Sequence, residues 1–434
     1  MPDTLTGMAT AMIPGLSGLT PPPLYRVRQR FLRPRLENPA AAVAEQMAAP
    51  EVAATLEGIE TIALAVGSRG IAGIVPMVGA MVAALHDRGL DVFIVPSMGS
   101  HGRATAEGQE AVLAHLGITE ESVGAPIRSS MATEPIASIT SPHGHEVPVY
   151  MDALALHEAD AVVPVNRIKP HTGFKGPIES GLCKMLAIGL GKHAAAGRLH
   201  REGYGVFDRL ILDAGRAILD HGHVAFGLAI IENAYDETAI IEAVPAHRVV
   251  EREQALLEQA RDLMPRLLME RIDVLVVERF GKNISGIGMD ANVTGRGETG
   301  EALPGFDGPD IRRIVVLGLT DETAGNAHGI GLADIITRRL HDQIDLQSTW
   351  INSITAGSLA CGRIPAALNT DDQAIMAAAS AVPGINPAEA RIVRIRDTLS
   401  LPEIAVSGNL LEEMDSNEAC EVVGEWNGTW TTSV

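Results

Sequence analysis

The sequence predicts an α/β protein of two domains, each with a parallel or mixed sheet flanked by helices, and an active site in the cleft between them. Three observations carry this expectation. From about residue 59 onward, short runs rich in Val and Ile alternate with Ala-rich segments, the pattern of strand–helix–strand units. The 434 residues are long for a single core. Gly-punctuated clusters with charged residues follow several of the strand-like runs, the position at which open α/β sheets bind ligands.

The elements follow in order. The first 35 residues are rich in Pro, Gly and Thr and then basic, and read as an extended arm or edge strand. Residues 62–66 read as a strand and 71–86 as the helix after it. A strand at 91–96 precedes a helix at 104–115. A strand at 161–165 runs into a Gly-rich stretch, and a helix at 207–219 precedes a strand at 224–232. A helix at 255–270 reads as the connection between a first domain, 1–265, and a second, 266–434. The second domain reads as strands at 273–277 and 313–319, helices at 331–336 and 373–381, and a late strand at 390–395.

Composition excludes several function classes. The formal net charge is −20, and nucleic-acid binding needs clustered Lys and Arg. No apolar run is long enough to cross a membrane, and the N-terminus lacks the form of a secretory signal. The three cysteines, Cys183, Cys361 and Cys420, are far apart and form no CxxC. That argues against a disulfide framework or a structural zinc site and fits a reducing, cytoplasmic setting.

Four clusters stand at strand-to-loop transitions: residues 67–70, 96–103, 166–175 and 281–285. Arg69, between glycines, reads either as a bidentate clamp on a carboxylate or as a solvated turn arginine. His101, in a Gly-Ser-His-Gly-Arg loop, reads as a general acid/base, the alternative being a loop that caps the next helix. His171 lies among Arg167, Lys169 and Lys175, which suit a phosphate, the alternative being a surface loop with its charges in water. Lys184 sits among Leu182, Cys183, Met185 and Leu186. A lysine there either snorkels to water or has a depressed pKa and serves as a nucleophile. His200 follows sixteen residues later and His171 precedes by thirteen. On one ideal helix the side chains of Lys184 and His200 would stand roughly 160° apart, so glycines at 189, 191 and 197 are expected to break it. His193 is close enough in sequence to replace His200. His143 with His145, and His221 with His223, read as turn residues lacking a third ligand.

On these clusters the chain resembles the lactate racemase family, whose members use a nickel-pincer nucleotide. Lys184 and His200 have that family's spacing for the lysine that binds the cofactor covalently and the histidine that ligates nickel. Gly99-Ser-His101 and Pro170-His171 are similar to the motifs of its two acid/base histidines. Arg69 and Lys282 look like the residues that hold the substrate or order the site. The resemblance implies a racemase or epimerase that inverts C2 of a 2-hydroxy acid by hydride transfer, with cofactor-synthesis proteins as partners. There are departures: Val66-Gly-Ser-Arg69 has no acid where the lactate enzymes carry Asp-x-x-Arg, the His101 loop continues Gly-Arg rather than Arg-Pro, and the interval from Pro-His to lysine is longer. They imply a divergent branch whose substrate is larger or more polar than lactate. A metal-dependent hydrolase built on His101, His171 and His200, a pyridoxal-phosphate enzyme using Lys184, and a non-catalytic binding protein of the same fold are the alternatives.

Overall fold

A computed structural model describes residues 18–298, 306 and 308–431. The chain forms two compact units: Leu32–Met264, and Pro265–Val434 together with the N-terminal segment to Phe31. Each is an α/β unit with a mixed sheet. The first described strand, β1 (Leu24–Gln29), is the exception to a division of the chain at 265/266. It lies in the sheet of the second unit, antiparallel to a strand on either side. The expected arm or edge strand is therefore an interior strand, with both rows of backbone polar groups paired, and its Val27 is fully buried. Residues 1–17 of the expected arm lie outside the described residues.

The Leu32–Met264 unit contains β2 (Thr61–Val66), β3 (Asp91–Pro96), the hairpin β4 (Thr133–Thr140) and β5 (Glu146–Asp152), β6 (Ala161–Arg167), β7 (Phe226–Glu232) and β8 (Thr238–Pro245). Its main sheet runs β3-β2-β6-β7-β8, parallel except for β8. Both faces are buried, so the strands are apolar throughout rather than alternating. Ile62, Leu64 and Val66 of β2 point into one apolar layer, and Ala63 and Ala65 into the other. The helix Ile74–His86 covers the first face, and Phe207–His221 the second. At roughly 1.5–3 kcal/mol per fully buried aliphatic side chain, these two layers carry most of the unit's stability.

The strand order places the site. From β2 the chain crosses to β3 on one side. It then returns to β6 on the other side of β2, and the helices that follow β2 and β6 lie on opposite faces. Such a reversal leaves a crevice beyond the carboxyl ends of the two strands. The residues at that edge are 67–70 after β2, 97–104 after β3 and 168–181 after β6.

The second unit contains β9 (Arg271–Phe280), β10 (Asp310–Leu319), β11 (Ile335–Thr337), β12 (Ala366–Leu368), β13 (Ile392–Ile395), β14 (Glu403–Ser407) and β15 (Cys420–Glu425), in the order β12-β11-β10-β9-β13-β14-β1-β15. Two expected elements differ. Residues 331–336 are not a helix: a short 3-10 turn, Ile330–Leu332, leads into β11, which pairs with β10 and β12. A run of apolar residues this short does not distinguish helix from buried strand. The connecting helix is Val249–Asp262 rather than 255–270, because its apolar face begins at Val249.

Candidate active site

The sequence between β6 and the helix Phe207–His221 builds the core of the site. At the end of β6, Asn166 Nδ2 donates to the Gly181 carbonyl at 2.7 Å, and beyond it Lys169 and Ser180 form a two-bond antiparallel bridge. These close the segment between them into a compact loop around one buried carboxylate. Glu179 accepts the backbone N–H of His171, that of Gly176 at 3.3 Å, and the Arg261 guanidinium at 2.6 Å, and pairs with Lys175. Glu179 was not singled out in the sequence analysis. Its only signal there is a carboxylate set among cations.

Lys184 ends a single helical turn, Leu182–Lys184, whose first residues are fully buried. Glu253, on the helix Val249–Asp262, accepts the Cys183 N–H at 2.8 Å. A Cβ on Gly181 would overlap this carboxylate, so a larger residue there would have to push Glu253 aside. Burial raises the Glu253 pKa to about 7. The Cys183 thiol, buried beside it, is pushed well up as well and stays protonated. Lys184 is followed by a π-helical turn, Met185–Leu190, and then by the helix Lys192–His200. The expected break thus falls at 185–192, where Lys192 adopts a left-handed φ of 52°, and Gly197 interrupts nothing. The change of pitch resets the angle between Lys184 and His200, which one ideal helix would hold apart. A π-helical turn is a frequent feature of functional sites.

The three residues come together around a run of rings. His171 stacks on Phe174 with ring centroids 4.4 Å apart, Phe174 meets Phe207 at 5.3 Å, and Phe207 meets His200 at 4.9 Å. The Lys184 ammonium lies 6.0 Å from the Phe174 centroid. Burial, followed by the charges of Lys184, Lys175, Arg69 and His200, holds the His171 pKa well below 6.5. His200 is lowered by burial and by Lys184, against the effect of its own hydrogen bond.

The two rings are fixed in different tautomers. His200 Nδ1 lies 2.6 Å from the Ala196 carbonyl. A carbonyl only accepts, so Nδ1 carries the hydrogen and Nε2 keeps a lone pair. In His171 the Gly173 N–H donates to Nδ1 at 2.9 Å, so the hydrogen of the neutral ring sits on Nε2. His101 differs from both. It is exposed, and its Nδ1 lies 2.6 Å from Ser68 Oγ. A hydroxyl can donate or accept, so this contact steadies the ring in either protonation state. Ser68 stands beside Arg69, which is solvent-accessible yet partly desolvated. That desolvation and the nearby Arg167 lower its pKa, and it remains cationic. Arg167 is paired with Glu232 and Lys175 with Glu179, so neither is simply a solvated surface charge. His193 is exposed at the start of its helix.

Lys282 lies in the second unit, in the loop after β9. Its ammonium donates to Asn352 Oδ1, which also accepts from Asn326 at 3.3 Å. His328, which no local sequence motif marks, is buried beside them with Nδ1 2.9 Å from Ser353 Oγ. Burial and Lys282 depress its pKa to about 4. Among the described residues, no group of three or more His, Cys, Asp or Glu converges as a metal site.

Two measurements check this electrostatic picture. Glu253 binds its proton more tightly folded than unfolded, so stability should fall as pH rises from 4.5 to about 7, and Glu253→Gln should flatten that slope. The slope is worth at most about 3 kcal/mol at roughly 1.4 kcal/mol per pKa unit, and chemical denaturation at several pH values reads it. Histidine 15N NMR should find His171 neutral, with its hydrogen on Nε2, throughout pH 6–8.

No protein-family model matches the sequence, and no curated protein matches it. Solved structures do match in fold. The lactate racemase apoprotein of Thermoanaerobacterium thermosaccharolyticum superposes with a TM-score of 0.52 at 14% identity, covering 86% of this chain and 94% of that one. A Thermotoga maritima protein from a structural genomics programme gives a TM-score of 0.50 at 13% identity, over 84% and 97%. The chain therefore has the two-unit α/β fold of lactate racemase.

Proposed function

We propose that this protein is a racemase or epimerase that inverts C2 of a 2-hydroxy acid, using a nickel-pincer nucleotide attached to Lys184. The observation that carries this reading is the tautomer of His200. A neutral ring whose Nδ1–H is held by a carbonyl, leaving Nε2 as a lone pair, is the usual form of a metal-ligating histidine. It lies within electrostatic reach of a partly buried lysine. One protein nitrogen, with no converging protein ligand set among the described residues, suits a metal whose other donors come with the cofactor. The fold likeness to lactate racemase supports the same reading. When bound, the cofactor would supply nickel and a ring able to accept and return hydride, chemistry that no side chain offers.

The chain's own residues would do the rest. Lys184 would anchor the cofactor through its amine, and His200 Nε2 would ligate nickel. Arg69 would pair with the substrate carboxylate, in an edge of the sheet that is locally cationic although the chain as a whole is acidic. His101 would take and return the hydroxyl proton, with Ser68 steadying each state. His171 would be its counterpart on the other face. To accept a proton at Nδ1 it must release the Gly173 N–H. Lys282, with Asn352 and Asn326 beside it, would be a second substrate-holding group. With no acid beside Arg69, the substrate would be larger or more polar than lactate. Cofactor-synthesis proteins would be obligatory partners. Among the described residues, no helix is long and apolar enough to cross a membrane.

The test is a panel of D- and L-2-hydroxy acids, incubated in D2O with protein produced alongside the pincer-synthesis enzymes. C2 inversion without deuterium at C2 is expected, because hydride returns to the carbon it left. Lys184→Ala should lose at least about 1,000-fold of this activity, the scale on which a covalent catalytic group contributes. Deuterium at C2, or full activity in Lys184→Ala, contradicts the proposal.

A further inference from the structure

Lys192 opens the helix that ends in His200, and it is fully buried. Few lysines are, because an ammonium out of water needs both a counter-charge and hydrogen-bond acceptors. Here it has both. Nζ lies 3.0 Å from Asp152 Oδ2. It donates to the Pro96 carbonyl at the end of β3, and to Gln109 Oε1 at 3.2 Å. Burial lowers the Lys192 pKa and Asp152 opposes that shift. Asp152 is also fully buried, and its other oxygen accepts the Ala155 N–H at 2.9 Å.

An ammonium can only donate. The Gln109 oxygen must therefore face Lys192, and its amide nitrogen must point the other way. That nitrogen donates to the Gly99 carbonyl at 2.8 Å and to the His101 carbonyl at 3.3 Å. The orientation of one buried amide thus holds two carbonyls of the loop that carries His101. Gly102 and Gly108 let this loop lie on the helix bearing Gln109, since a Cβ on either would overlap the backbone of the other. The same loop is held to the π-helical turn after Lys184, where the Gly99 N–H donates to the Gly189 carbonyl at 3.3 Å.

We propose that Lys192 and Gln109 are positioning residues: Lys192, anchored on Asp152, orients the Gln109 amide, and that amide sets where His101 stands relative to Lys184. Their importance to activity rests on the reading of His101 as an acid/base group, but their effect on His101 does not. The distinction makes the two claims separately testable.

The full-length protein is labelled with 15N-histidine. The His101 ring signals, identified by their loss in His101→Gln, are followed against pH. Gln109→Leu removes the acceptor and both donors. Gln109→Glu keeps an acceptor for Lys192 and removes both donors. Lys192→Met/Asp152→Asn removes the ion pair as a whole, so that neither charge is left buried alone. Val43→Ala, on the helix Pro39–Ala48, controls for general loosening. Each Gln109 variant should move the His101 midpoint by about half a unit or more and change its tautomer ratio, the double variant should do the same, and the control should do neither. In cofactor-loaded protein, kcat should fall roughly 10- to 100-fold in the Gln109 variants with KM within about twofold, the effect of a misplaced catalytic group. Unchanged His101 signals in both Gln109 variants overturn the proposal whatever the activity. Shifted signals in a protein that inverts no 2-hydroxy acid support the positioning role and overturn the assigned reaction instead.

Discussion

Strands β2 and β6 lie side by side, yet the chain leaves them toward opposite faces of the sheet. No helix can cover the space between those departures, so a crevice remains beyond their carboxyl ends. Much of the candidate site follows from this constraint. Arg69 and Ser68 come from the loop after β2, His101 from the neighbouring loop after β3, and His171 from the loop after β6. The segment that carries Lys184 is drawn to the same edge, because Asn166 at the end of β6 bonds Gly181 just before it.

The cost of gathering cations there is met locally. Glu179 is fully buried and takes hydrogen bonds or ion pairs from Arg261, Lys175 and two backbone N–H groups. Arg167 is balanced by Glu232. Burial, with the positive charge that remains around it, keeps the His171 ring neutral. The three histidines differ through their partners: a carbonyl for His200, a backbone N–H for His171 and a hydroxyl for His101. Three chemically identical side chains thereby present different ring nitrogens: a lone pair at His200 Nε2, a hydrogen at His171 Nε2, and at His101 a ring steadied by a hydroxyl in either protonation state.

Much of this is legible in the amino-acid order, for identifiable reasons. Strand β3 has the bounds its apolar run predicts, because Gly89 on one side and Ser97-Met-Gly on the other end it sharply. Lys184, His171 and His200 are singled out by the family resemblance rather than by spacing alone, and the structure brings them together around Phe174 and Phe207. Residues that act across long sequence distances are not legible. Glu179 with Arg261, Gln109 with Lys192, and Glu253 with the Lys184 turn are 82, 83 and 70 residues apart. Nothing in a local pattern marks a carboxylate or amide as buried. Strand β1 is misread as an edge strand for the same reason, since both its partners lie near the far end of the chain. The π-helical turn has no distinct composition, so the sequence shows where the helix breaks but not how.

The proposed reaction needs Lys184 and His200 to act together on one bound group. Intact-protein mass spectrometry with nickel analysis, on protein made alongside the pincer-synthesis enzymes, tests that most directly. A covalent adduct mapped to Lys184, with about one nickel per chain as a single-metal cofactor requires, is the predicted result. An unmodified chain without nickel, from a host shown to load lactate racemase, would contradict it.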